Sequence, residues 1–347
     1  MNSSADGWSN CSCLAVFPRH IKVAAATKTH ENCRRYFFLN FHKSFIFHTT
    51  TLNTTDCLPP GTSIVSKLTF YRPVTAARLV RFNIENRVNM SQTANEGKQE
   101  KILLALDFDH TIINDNSDTY VTKLAPKGKI PPEIKSLYSD QGWTLFMSEI
   151  FRYLHSNNTT PEQILECMTE ISFSPGMVDL LKTLDQSKAE TIVISDANYV
   201  FIDHILSFHG LKDRVNKIFT NPAKFNDDGL LELEMYHVQD SCSLSTINLC
   251  KGQILESYIE ERAKENIVFT HVAFIGDGEN DFCPSLRLSP KDFVFPREGY
   301  SLVKHIEKMK TEKDLHIKAN IHTWKSGLDI LKVLSDRVPL LAQTTTA

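Results

Sequence analysis

The sequence contains no run of about 18 consecutive apolar residues, so no segment reads as a membrane-spanning helix. Its N-terminus also lacks the apolar stretch of a secretory signal peptide. The expectation is an intracellular, cytoplasmic protein with no membrane partner. In that setting the eight cysteines are not expected to pair as disulfides, and the sequon Asn53-Thr54-Thr55 carries little weight. Acidic residues are scarce in the first part of the chain: residues 1–99 hold 12 Lys+Arg against 5 Asp+Glu (+7), whereas residues 100–347 hold 26 against 36 (−10). Residues 1–99 also lack any sustained period of 2 or 3.6, which argues against an independent folded domain. They read as a disordered N-terminal extension. Two further readings stay open. A basic, Ser/Thr-containing, acid-poor leader fits an organellar transit peptide, although the segment is not cleanly amphipathic. Alternatively the start is mis-assigned, since Met90 is followed by a short polar lead, Ser91 to Glu100, and then by the first strand. The basic charges of the extension are dispersed and no recognition module accompanies them, so nucleic acid is not an expected partner.

From residue 100 onward the texture is globular, in a chain that is 41% hydrophobic and 23% charged overall. Ile102-Leu103-Leu104-Ala105-Leu106 is a short apolar run suited to a central strand buried on both faces. Further apolar runs at 191–195, 272–276 and 292–295 alternate with helical segments at 176–184, 200–208 and 249–264. That alternation predicts an α/β fold, a doubly wound, mostly parallel Rossmann-like sheet with helices on both faces and ligand chemistry at the carboxyl ends of the strands. About 75 residues separate the first strand from the second, far more than a crossover needs. Helical texture at 131–138, 143–154 and 161–171 makes this an inserted helical cap, about 118–172, within a domain of 100–340. No internal repeat or low-complexity tract interrupts that domain.

The carboxyl ends of these strands are acidic. Asp107 and Asp109 lie one residue apart after the first apolar run, where an unpaired buried charge would be very costly. Standing alone the pair could be capping and turn residues. A second acidic group, Gly276-Asp277-Gly278-Glu279-Asn280-Asp281, follows another apolar run, its glycines permitting tight turning and close approach of a ligand. Ile194-Ser195-Asp196-Ala197-Asn198 offers a hydroxyl and backbone N–H groups that could hold an anion at a helix start, or simply an N-cap. Lys251 adds a cation in a helical segment, a place where a lysine is ordinarily solvated.

Taken together and in this order, these elements resemble the haloacid dehalogenase-like phosphatase superfamily. Within it the strings DFDHTI, DNSD, ISDAN, NPA, CKG and GDGENDFCP are similar to the phosphoethanolamine/phosphocholine and pyridoxal phosphate phosphatase group. The resemblance covers roughly residues 100–335; the first 99 have no counterpart. It implies a Mg²⁺-dependent phosphatase acting on a small phosphorylated metabolite. Asp107 would be the nucleophile that becomes an aspartyl phosphate, and Asp109 the general acid and then base. Asp107, the Asp109 carbonyl and Asp277 would hold the metal, with Asp281 supporting its waters or orienting Lys251. Ser195, Lys251 and Thr111 would bind the phosphate. Asp118 and Asn198 would face the substrate, with Asp118 attracting an ammonium head group or else serving as a plain helix N-cap.

The chain departs from the group between His237 and Cys250, where relatives commonly show a denser His/Cys pattern. His237, Cys242 and Cys250 stand at loose spacing, a weak basis for a structural metal, and zinc is not expected. Two other functions fit the same fold, a phosphotransferase or phosphomutase and a catalytically inactive phosphometabolite-binding protein. Asp109 speaks against the first because it can activate water, and the intact set of acidic and basic residues speaks against the second.

Overall fold

The computed structural model describes residues 97–138 and 142–342. The expectations placed on the first 96 residues, including the sequon, Cys11, Cys13, Cys33, Cys57 and a start at Met90, lie outside the described residues. Within them the strands are β1 (Gln99–Leu106), β2 (Ala189–Asn198), β3 (Lys217–Asn221), β4 (Ala223–Phe225), β5 (Leu231–Leu233), β6 (Ile267–Gly276), β7 (Phe293–Pro296) and β8 (Asn320–Ile321). Helices α1 (Ser117–Tyr120), α2 (Pro132–Lys135), α3 (Trp143–Ser156), α4 (Pro161–Thr169) and α5 (Met177–Thr183) lie between β1 and β2. After β2 come α6 (Tyr199–Phe208), α7 (Lys251–Lys264), α8 (Phe282–Leu286), α9 (Ser301–Lys313) and α10 (Gly327–Arg337). No helix among the described residues is long and apolar enough to cross a membrane.

Six strands form one parallel sheet in the order β3-β2-β1-β6-β7-β8, while β4 and β5 make a separate antiparallel pair. The expected α/β architecture is thus what the chain adopts. β1 is central because its apolar run is buried on both faces, and its side chains divide by parity. Ile102, Leu104 and Leu106 join a core with Leu180 of α5, Phe201 and Ile205 of α6 and Ile330 and Leu334 of α10. Leu103 and Ala105 join the opposite core with Ile254, Leu255 and Tyr258 of α7. Each large apolar side chain removed from water in this way contributes about 1.5–3 kcal/mol. The chain leaves β1 toward β2 on one side and returns through β6 on the other, so strand order reverses at the carboxyl end of β1, the place where open α/β sheets bind ligands.

The inserted helices pack onto the first of these cores. α3 buries Met147, Ile150, Phe151 and Leu154 along one stripe, and the Phe151 ring meets Phe201 edge-on at 5.8 Å. α4 starts at Pro161 behind a capping box of Thr160 and Gln163, which satisfies two of the N–H groups a helix start leaves free. β3, β4, β5, β8, α9 and α10 are elements that hydrophobic pattern did not indicate. α9 shows why: its buried apolar residues are Leu302, Ile306 and Met309, set among lysines and glutamates that leave only a narrow stripe.

Candidate active site

At the carboxyl end of β1 the Asp107 N–H still donates to the Ile275 carbonyl, at 2.9 Å, so the backbone of Asp107 is fixed by sheet pairing. The chain then turns sharply. Thr111, Ile112 and Ile113 all donate their N–H groups to the Phe108 carbonyl, and His110 adopts φ = 54°, a left-handed conformation unusual for a residue with a Cβ. His110 is held there through its N–H on the Asp115 carbonyl, at 3.0 Å, and through its own carbonyl, which accepts from the Arg297 guanidinium. This turn keeps both carboxylates buried but sends them to different partners. Asp107 Oδ2 lies 2.8 Å from Lys251 Nζ, whereas Asp109 Oδ1 accepts the Ser117 N–H at 3.0 Å.

Lys251, the first residue of α7, is 1% exposed and bridges Asp107 and Asp281, with its Nζ 2.7 Å from Asp281 Oδ1. Burial disfavours its ammonium, but the two carboxylates outweigh that and hold it charged, well above the usual lysine range. The other Asp281 oxygen accepts the N–H groups of Asp277 and Gly278, at 2.9 and 3.0 Å. Gly276 makes that loop possible, because a Cβ there would lie 2.2 Å from Asp281 Oδ2. The Thr111 hydroxyl donates to Asp277 Oδ1 at 3.3 Å and so braces a carboxylate from a fully buried position.

Asp107, Asp277 and Asp281 each offer a carboxylate oxygen, and these lie within 4.8 Å of one another. The charge is unbalanced. Burial, opposed by Lys251 but reinforced by Asp281, Asp277 and Asp196, raises the Asp107 carboxyl well above the carboxylate range. Burial and Asp281 push Asp277 up to about 7. Clustered hard oxygen donors with excess negative charge suit a divalent cation, which would relieve that repulsion.

Asp109 is also raised well above its ordinary value, first by burial and then by the nearby Asp118 charge. Asp118 is 2% exposed, accepting Trp143 Nε1–H at 2.9 Å on one oxygen and Asn198 Nδ2–H at 3.3 Å on the other. Burial, against those two hydrogen bonds, pushes it up to about 7. It is not the N-cap of α1. Asn116 is, accepting the Thr119 N–H. Asn198 caps α6 through the Phe201 N–H, and the Ser195 hydroxyl accepts the Ala197 N–H at 3.3 Å, so both stand at the β2–α6 junction.

Residues 102–338 match the profile of the family described as Putative Phosphatase. The chain belongs to this family of haloacid dehalogenase-like phosphatases. It is 39% identical over 236 residues to the pyridoxal phosphate phosphatase of Bos taurus, spanning 67% of this chain and 97% of that one. It is 32% identical over 232 residues to the phosphoethanolamine/phosphocholine phosphatase of Homo sapiens, spanning 66% and 86%. A solved phosphoserine phosphatase carrying a phospho-aspartyl intermediate analogue aligns with a TM-score of 0.45 and 18% identity, over 67% of this chain and 99% of that one.

The reaction class of the phosphatase is hydrolysis of phosphomonoesters. Its structure brings Asp107, Asp277, Asp281, Lys251 and Thr111 into one connected cluster, and Asp109, Asp118 and Asn198 into an adjoining one. Asp196 lies between the clusters, acting electrostatically on Asp107, Asp109 and Asp118 and accepting Asn280 Nδ2–H at 3.2 Å. In the sequence Asp196 has the same signature as Asp107, an aspartate directly following an apolar run, here 191–195. Arg297, which fixes the His110 turn and stacks on Tyr300 at 4.5 Å, follows β7 in the same way.

Proposed function

We propose that the protein hydrolyses a small phosphomonoester in two steps through an aspartyl phosphate on Asp107. The observation that carries this reading is the convergence of Asp107, Lys251, Asp277 and Asp281 at the carboxyl ends of β1 and β6 and the start of α7. In the first step an Asp107 oxygen attacks phosphorus, the bond from phosphorus to the ester oxygen breaks, and Asp109 gives that oxygen its proton. A carboxyl raised by burial and by Asp118 still holds a proton to give. In the second step water attacks the acyl phosphate, Asp109 takes its proton, the bond to Asp107 breaks and inorganic phosphate leaves.

Lys251, Ser195 and Thr111 are assigned to the phosphate side. Lys251 offers the nearest positive charge to the transferred group, and Thr111 acts through the Asp277 carboxylate that it braces. Mg²⁺ is the proposed ion, held by Asp107, Asp277, Asp281 and the Asp109 carbonyl. When bound it would neutralise charge between the nucleophile and the phosphate dianion. Asp118 and Asn198 are assigned to the substrate side, with the helices between β1 and β2 as a cap that excludes water. Beside Asp118 the rings of Trp143, Tyr138 and Phe146 lie 5.6–5.8 Å apart, an aromatic surface suited to a pyridine ring or an alkylammonium group. The higher identity to a pyridoxal phosphate phosphatase puts pyridoxal phosphate first among substrates, ahead of phosphoethanolamine and phosphocholine. The test is phosphate release from these three substrates by the full chain, with and without Mg²⁺. Release that needs Mg²⁺ and favours one of them supports the reading, and no release from any phosphomonoester contradicts it.

A further inference from the structure

Beside the start of α7 lies a feature that the proposed hydrolysis does not use. Cys242, from the loop before α7, Cys250, which precedes Lys251, and Cys283 of α8 converge. The Cys242 and Cys283 sulfurs lie 3.4 Å apart, the Cys250 and Cys283 sulfurs 3.7 Å, and the three mutually within 4.8 Å. Sequence spacing alone, which offered only His237, Cys242 and Cys250, gave no reason to expect this. Cys283 is 33 residues beyond Cys250 and arrives through the fold.

We propose that Cys242, Cys250 and Cys283 form a structural site for a thiophilic d¹⁰ cation, with zinc the expected occupant. A tetrahedral zinc with Zn–S bonds of about 2.3 Å sets its sulfurs about 3.8 Å apart, close to the spacing seen. A disulfide would join two of the sulfurs at about 2.05 Å and strand the third. The surroundings suit a metal thiolate. Arg287 Nη2 reaches Cys250 Sγ at 3.9 Å, placing a cation where zinc and three thiolates would leave one negative charge. His237 Nε2 accepts the Cys250 N–H at 3.0 Å, which orients the ligand's backbone and keeps that ring nitrogen out of the coordination shell. Gly252 allows the close approach, because a Cβ there would stand 2.8 Å from Cys283 Sγ and 2.3 Å from Arg287 Nε. Cys242 is half-buried, and water would complete the tetrahedron as the fourth ligand. Each thiol gives up its proton to solvent as it binds. The site would tie the 237–250 loop to the segments carrying Lys251 and Asp281, and so act as a staple beside the active site.

The test is zinc content of the full chain, expressed with zinc and purified reduced. The wild type, Cys167→Ser and Asp277→Asn should each retain one equivalent, and Cys242→Ser and Cys283→Ser should fall to background, with folding checked by circular dichroism. Cobalt-loaded wild type should show thiolate-to-metal charge-transfer absorption, a readout independent of how any variant folds. Background zinc in wild type with all three thiols open to a thiol reagent would overturn the proposal. So would a Cys242–Cys283 disulfide in the reduced preparation, or zinc lost from Asp277→Asn and kept by Cys242→Ser.

Discussion

Two buried charge clusters occupy opposite ends of the same elements, and they are built differently. β1 carries Lys101 near its start and Asp107 just past its end, while α7 carries Lys251 at its start and Arg262 near its end. Away from the strand ends that hold the chemistry, Glu190 of β2 receives Arg262 on both oxygens, Tyr258 OH at 2.7 Å and Lys101 Nζ at 3.2 Å. Burial alone would raise the Glu190 carboxyl, but these donors outweigh it and leave it below the usual glutamate range. At the other end Asp107, Asp277 and Asp281 share one lysine, and Asp107, Asp109 and Asp277 are raised. The first cluster is satisfied by the protein alone and holds the sheet to α7. The second is left with excess negative charge that a divalent cation would offset before a phosphate dianion could enter. Charge balance, more than burial, separates a cluster that the protein satisfies by itself from one suited to take up a cation.

The sharpest contrast comes from removing one carboxylate at each end. Asp107→Asn should lower kcat by about 10⁴-fold or more while the protein stays folded, since it removes the proposed nucleophile at nearly constant volume. Comparable kcat in steady-state assays would break the assignment. Asp109→Asn should lower kcat by about 10²–10⁴-fold and leave inorganic phosphate binding nearly unchanged, because a proton shuttle acts in the transition state. Loss of phosphate affinity in calorimetry equal to the loss of turnover would make Asp109 a binding residue. Glu190→Gln should do the opposite of both, costing about 3–5 kcal/mol in denaturant unfolding with kcat of the folded protein unchanged.

The two ends should also differ in pH dependence of stability. Glu190 is depressed, so its contribution is present above the ordinary glutamate pKa and is lost as pH falls through its lower folded value. Asp277 is raised to about 7, so in metal-free protein its contribution is present at acid pH and is lost as pH rises through about 7. Mg²⁺ should therefore raise the melting temperature more at pH 8 than at pH 6. An equal shift at both values would place the ion elsewhere.

The smallest effect is expected from Asp118→Asn, which should lower kcat/KM about 5- to 100-fold for phosphoethanolamine or phosphocholine and leave p-nitrophenyl phosphate nearly untouched. Because Asp118 also raises Asp109, an equal loss on both substrates would reassign it to tuning the general acid.

Much of this was legible in the sequence where a strong apolar run ends in polar residues. β1, β2, β6 and β7 announce themselves that way; Asp107, Asp109 and Asp277 sit just beyond their strands, and Ser195 lies among the last residues of β2. Lys251 was legible only through its place among those strings, because a lysine opening a helix carries no signal of burial. What escaped depends on contacts distant in sequence. Glu190 reads as an ordinary polar strand residue until Arg262 and Lys101 arrive beside it. Cys283 reads as part of an acidic loop until Cys242 and Cys250 meet it. β3 and β8 are short strands at the sheet edges, where the continuous apolar run of a central strand is not required.

A covalent intermediate on Asp107 would be trapped by acid-quenching the Asp109→Asn variant during turnover with Mg²⁺ and mapping phosphate by peptide mass spectrometry. Acid-stable phosphate should appear on the peptide containing Asp107 and be lost on treatment with hydroxylamine. Phosphate on another residue, or turnover by wild type with no phosphorylated peptide in either protein, would contradict it.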